Sequence, residues 1–227
     1  LLMNRFALFA FAGIVVLAVA ACGGGRRGAM ERDESMVVAQ RADGTSVAVR
    51  PGRDPNGAYI QATEFKAKGD CATAVKLLRP VARLGPGYEN AQTALGECLL
   101  ENADERDEGV TWITRAADAG WPEAQASLAF HFGGDSPAHN GEEAAYWLAL
   151  YDANPNKARV AFVAPDPKRM SAVRVALTDA EIAAGAKRAA SWQQKLWIPP
   201  APAEGDTPGL RPEGRERGGF RGPPPLL

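Results

Sequence analysis

Histidine is scarce in this sequence: two in 227 residues, His131 and His139. Cysteine is little commoner, at three, and aromatics make up 7%. No Cys, His and carboxylate grouping has the spacing of a zinc site. No Gly-x-Ser-x-Gly elbow and no Ser-x-x-Lys acylation pair occurs, since Ser171 and Ser191 both lack a lysine three residues on. With so few bases and nucleophiles, neither catalysis nor a metal or cofactor is expected. Charge of either sign is not in excess, with 26 Lys and Arg against 27 Asp and Glu and a net charge of -1. A nucleic-acid partner usually demands a basic stripe, so none is expected. A long apolar run is missing as well. The longest, Phe6–Ala21, has 16 residues, short of the ~20 that cross a bilayer.

A run of that length behind Arg5, with Met3 the expected start, reads as a signal-peptide core. It ends Val19-Ala20-Ala21-Cys22. A branched residue, two small residues and a cysteine resemble the lipobox of bacterial lipoproteins. The resemblance implies cleavage before Cys22, a lipid thioether on it and acylation of the new amine. Two or three chains anchor stably, at ~0.8 kcal/mol per buried CH₂. Gly23, not Asp, follows the cysteine, which by the lipoprotein sorting rule favours the outer membrane, facing the periplasm. The string Gly23-Gly24-Gly25-Arg26-Arg27-Gly28 matches a dinucleotide fingerprint, but it follows a signal rather than a strand. It reads as tether.

Residues 22–56 are expected to form a flexible tether, with a hairpin flavour in Met36–Arg50 around Asp43-Gly44. A lone two-stranded ribbon is marginal in water, so a loose segment is expected. At the far end, residues 199–227 hold eight prolines and six glycines and read as a disordered tail.

The body between carries a repeat. Ala74, Leu77, Leu78, Val81 and Ala82 fall on one helical stripe, and Gly85 stops it. Ala91, Ala94, Leu95, Cys98 and Leu99 repeat that spacing, giving two antiparallel helices. A shift of 35 places Gly109, Trp112, Ile113, Ala116 and Ala117 on the first stripe and Gly120 on Gly85. The second helix follows as Ala124-Gln125-Ala126-Ser127-Leu128. A further shift matches Ala144, Trp147 and Leu148, but Asp152 and Pro155 replace Ala117 and Gly120, so the third unit decays. Helical pairs at a fixed period predict an all-α fold, a short solenoid whose units bury their apolar faces against each other. Pro80 inside the first helix is expected to curve it.

Ala91-x-x-Ala94-Leu95-Gly96, the Trp112…Ala116-Ala117-x-x-Gly120 unit and Ala144-x-x-Trp147 resemble the Sel1-like repeats, relatives of the tetratricopeptide repeats. The likeness spans residues 57–154. Leu77 stands for a tryptophan, Gly109 for an alanine and Phe130 for a glycine of that pattern. The resemblance implies an α-solenoid that presents a groove to a protein or peptide of the cell envelope. It implies two alternatives as well: an envelope hydrolase acting on peptidoglycan or β-lactam-like amides, and a passive cell-wall-binding lipoprotein. The leading expectation is a lipid-anchored interaction scaffold.

Residues 155–198 are expected to cap the stack. Pro165 and Pro167 forbid a long helix before Thr178-Asp179-Ala180-Glu181, a capping box that opens a helix to about Trp197. Ile182, Ala186, Ala189 and Ala190 would form its apolar face. Relatives of this kind close with such a helix carrying Ala and Trp, here Ala189 and Trp192.

Cys71 opens one helix and Cys98 lies near the end of its antiparallel partner. The two ends are neighbours in a hairpin, and an oxidising periplasm permits a bridge. Closing a loop of about 28 residues contributes ~3.5 kcal/mol in the chain-entropy picture. Two buried thiols are the alternative. His131 occupies the stripe position equivalent to Cys98 and reads as a core residue. Glu142 and Glu143 read as a first turn suited to the helix dipole.

Overall fold

A computed structural model describes residues 36–41, 43–134 and 138–200. The expected signal segment, Cys22, the Gly23–Gly28 string and the proline-rich stretch beyond residue 200 lie outside the described residues.

Side-chain caps set most helix starts, because each free N-terminal N–H needs an acceptor. Asp54 accepts from the Gly57 N–H and opens α1 (Pro55–Ala67), with Pro55 in its first turn. Asp70 accepts from the Thr73 N–H and opens α2 (Cys71–Ala82). Next come α3 (Glu89–Leu100) and, after a short 3-10 turn, α4 (Arg106–Asp118). Trp121 and Pro122 lead into α5 (Pro122–Gly133), and Asn140 caps α6 (Gly141–Ala153). Asp166 caps α7 (Pro167–Ala176). Thr178 and Glu181 form the expected reciprocal capping box of α8 (Asp179–Ala189).

The stops are as local as the starts. Gly120 has φ 81°, a region open to glycine at no steric cost. There its N–H reaches Ala117 O at 2.9 Å and the Trp121 N–H reaches Ala116 O at 3.0 Å, a Schellman pair. Gly85, one repeat earlier, has φ 91°.

The helices stack in two layers. Helices α1 to α7 pack on their chain neighbours; α1, α3, α5 and α7 also meet side by side, and α8 packs on α6. Arg79 of α2 pairs with Glu105 at 3.6 Å and with Glu108 of α4. The molecule is thus a short α-solenoid of antiparallel helix pairs. Its core is two clusters that meet at α4, with Trp112 in the first and Ile113 in the second. Cys71 and Cys98 are joined in a disulfide, their Cα atoms 5.1 Å apart.

Helices α3 and α4 approach most closely where both carry glycine. A Cβ on Gly96 would lie 2.5 Å from Gly109 O, and one on Gly109 would lie 2.8 Å from Gly96 O. The departure from alanine at position 109 is the reciprocal of this contact.

Three expectations need correction. First, residues 36–50 are not loose. They form an antiparallel hairpin, β1 (Val37–Gln40) and β2 (Ser46–Val49), with Val37 opposite Val49. It survives because it is not alone: Ala39 and Val49 join the first core cluster, and Arg41 donates to Gln61 of α1 at 2.7 Å. Second, the last helix stops at Ala189, not near Trp197. The Trp192 N–H turns back to Ala189 O at 3.0 Å, and the chain then runs extended as far as the described residues go. Third, Ile182 and Ala186 do not face the core. Ile182 is 45% exposed and the buried position is Gly185, because the α8 backbone itself presses on α6 at Ala145 and Tyr146. Pro80 lies inside α2, which runs only two residues past it.

Candidate functional site

The repeat-signature residues are structural. Leu78, Ala82, Ala91, Leu95, Ala116, Ala117, Ala124, Leu128 and Ala144 have no exposed surface, and Trp112 and Trp147 are buried. Gly85, Gly96 and Gly120 are buried as well. They build the walls, and what they carry is on the even-numbered helices.

There, α4 presents Thr114, Arg115 and Asp118, α6 presents Tyr146 and Trp147, and α8 presents Arg188. With Ser191, Trp192, Gln193 and Lys195, all of these but Arg115 line a cleft of about 520 Å³. Arg188 lies 3.8 Å over the Tyr146 ring and pairs with Glu143, whose hydrogen bonds raise its pKa. Glu143, read from sequence as a dipole residue, is thereby a strut between α6 and α8. Burial pushes the Asp118 carboxyl above the usual carboxylate range. The Lys195 charge, the facing Trp192 indole N–H and the Arg188 charge oppose that rise. The Trp192 indole N–H is buried and makes no hydrogen bond of ordinary geometry.

Next to the cleft, Trp112 and Trp197 meet edge to face with centroids 5.4 Å apart. The Arg115 guanidinium lies 4.4 Å from one ring and 4.3 Å from the other. A cation between two indoles is held by both π faces. The Trp112 N–H donates to Glu108 at 2.9 Å. Burial pushes Glu108 up, but hydrogen bonds from Trp112 and Arg79 and the arginine charges outweigh it, so its carboxyl titrates below the usual range.

The opposite layer is a polar ladder. Glu97 of α3 accepts from Lys66 of α1 and from Ser127 of α5. Arg159 lies 3.7 Å over the Trp121 ring and pairs with Glu123. These pairs join successive units and read as stitching, although the buried Arg159 Nε makes no hydrogen bond.

His131 is half-buried and edge-on to Phe132 at 4.9 Å; burial, aided by the Arg106 charge, lowers its pKa. His139 meets Gly134 O at 3.2 Å. Among the described residues, no group of three His, Cys, Asp or Glu could hold a metal ion, and no helix is long and apolar enough to cross a membrane.

Sequence reasoning passed over Arg115, Asp118, Trp197 and the glutamines Gln92 and Gln125. Two signals were available. Trp112 and Arg115 stand three apart, so they share a helix face, and the two glutamines hold the same place in successive units. No family model, curated protein or solved structure matches this chain.

Proposed function

We propose that this chain is a lipid-anchored envelope protein whose Sel1-like repeats serve as a scaffold for a protein or peptide partner. The anchor reading rests on Val19-Ala20-Ala21-Cys22 and places the body on the periplasmic side of the outer membrane. The observation that carries the scaffold reading is the aromatic and charged face built from Trp112, Arg115, Asp118 and Tyr146 across successive helix pairs. Stacked pairs form one continuous surface, longer than any single helix offers. Crosslinking in intact cells, followed by mass spectrometry, tests this. The same envelope protein should be captured by the native chain and lost with Cys22→Ser; capture that is indifferent to that change overturns the anchored scaffold.

One observation favours the hydrolase alternative. A carboxyl with a raised pKa in a cleft is what a general acid requires, and Asp118 lies beside Ser191 and Lys195. Turnover of a muropeptide or a β-lactam by the purified protein, abolished by Asp118→Asn, would establish it. Absence of turnover removes it.

A further inference from the structure

The extended segment after α8 lies on the even-helix layer and runs back along it. Trp192 comes first, beside Gly120. Gln194 then donates its side-chain amide to Ala119 O at 2.7 Å, and the Lys195 main-chain N–H donates to Asp118 O at 2.8 Å. Trp197 closes over Arg115 and Trp112. Pro199 finally seats on Gly85, where a Cβ would come within 2.6 Å of the proline ring. The path leads from the third unit over the second to the first.

From Leu196 on the segment alternates with a period of two, whereas nearer α8 the even-numbered Trp192 and Gln194 reach the helices and Lys195 is exposed. Lys195 lines the cleft and adds its charge to the Asp118 environment, while Trp197 and Pro199 are half-buried. Leu196 and Ile198, between them, are 52% and 66% exposed. Contacts of this kind, main-chain hydrogen bonds plus pockets for alternate side chains, are how an extended peptide is recognised. Trp197 packs on the edge of the first core cluster, while Leu196 and Ile198 on either side of it stay in solvent.

We infer that this face is a peptide-binding groove, that its ligand is an extended segment of a partner with the spacing Lys-x-Trp-x-Pro, and that residues 191–199 occupy it in cis until such a segment displaces them. The inference deepens the scaffold reading and rests on it. Three elements make the recognition. Asp118 takes the basic residue, the Trp112 and Arg115 pair takes the indole, and the bare backbone at Gly85 takes the proline. Leu196 and Ile198 face outward, so those positions are open to other residues.

The test uses the full chain and a fluorescein-labelled peptide of residues 190–203 as probe, read by anisotropy. Trp197→Ala frees the groove from within. A site occupied by its own strap more than nine-tenths of the time binds a competitor about tenfold more weakly. The labelled peptide should therefore bind Trp197→Ala at least about tenfold more tightly than the unaltered chain. Adding Arg115→Ala to that variant should weaken binding by about fivefold, the fold-change expected from one cation–π contact. Equal binding to both chains, or none to either, overturns the inference. So does a Trp197→Ala chain that loses its helical circular dichroism, since the strap is then part of the fold. A doubling of mass in sedimentation velocity overturns it too, since the groove then takes a second copy. Hydrogen exchange on the unaltered chain is a second measure. The Lys195 amide should exchange while the α4 amides stay protected; exchange only by global unfolding overturns the displaceable strap. Neither readout depends on the membrane anchor or on captured partners, so this inference and the scaffold reading fail separately.

Discussion

Gln125 donates its side-chain amide to the main-chain oxygen of Ala117, 3.2 Å away, and both groups are buried. One repeat earlier Gln92 does the same to Ala82 O, also at 3.2 Å. Gln92 thereby serves a carbonyl at the last turn of the preceding helix, whereas Ala117 O also accepts from the Gly120 N–H at 2.9 Å, so Gln125 gives it a second bond. In the third unit the pattern continues in altered form. Asn154 donates to Gln125 Oε1 at 2.7 Å and to Gly120 O at 3.1 Å.

Gln125→Leu should destabilise the fold by about 2–3 kcal/mol, since it removes the second bond to Ala117 O and leaves one buried Asn154 N–H without its acceptor. Gln92→Leu strands only a carbonyl and should cost less, about 1–2 kcal/mol. Urea denaturation followed by circular dichroism gives both numbers. Equal values would mean the Asn154 link carries nothing.

Gly96→Ala should destabilise by about 2–3 kcal/mol, because its new methyl meets the Gly109 carbonyl of α4 as well as the buried Ile113 side chain. Gly109→Ala meets the Gly96 carbonyl from the other side and should behave alike. The double substitution should fall short of the sum, since one widening of the α3–α4 contact relieves both clashes. Thermal melts of the three variants check this.

Reduction of the Cys71–Cys98 bridge should lower stability by about 3–4 kcal/mol, from the freedom returned to the unfolded chain. The double variant Cys71→Ser, Cys98→Ser should show the same midpoint with and without reductant. The native chain should show two.

The two shifted carboxyls on α4 should give opposite pH dependence. Asp118 has a raised folded pKa, so the stability it contributes is fully present below its ordinary value of 3.8. That contribution is lost as pH rises through the higher folded value. Asp118→Asn should thus gain on the native protein as pH climbs from acid toward neutral. Glu108 has a lowered folded pKa, so its contribution is present above its ordinary value of 4.5 and is lost as pH falls through the folded one. The deficit of Glu108→Gln should shrink in acid. Denaturation midpoints measured across this range decide both signs.

The helical pairs were legible because their signals are local. Asp70, Thr178 and Glu181 announce helix starts within one turn, and Gly85 and Gly120 announce stops. The spacing of 35 showed that Trp112 and Ala117 repeat Leu77 and Ala82 in place. The hairpin was misjudged because its stability comes from Ala39 and Val49 docking on helices that the local pattern does not mention. The glutamine clamps were visible as letters at equal positions, but their meaning depends on a carbonyl eight or ten residues away in another helix.

The amino-acid sequence alone determined the periodicity, the caps and the hairpin adjacency that brings Cys71 to Cys98, since each depends on neighbours within a few turns. Only the tertiary structure decided that α8 presses its backbone on α6 at Gly185, and that the chain then turns back across the stack. The bond from Gln194 to Ala119 closes a separation of 75 residues. A contact of that range is set by the shape of the whole assembled surface, which no local pattern encodes.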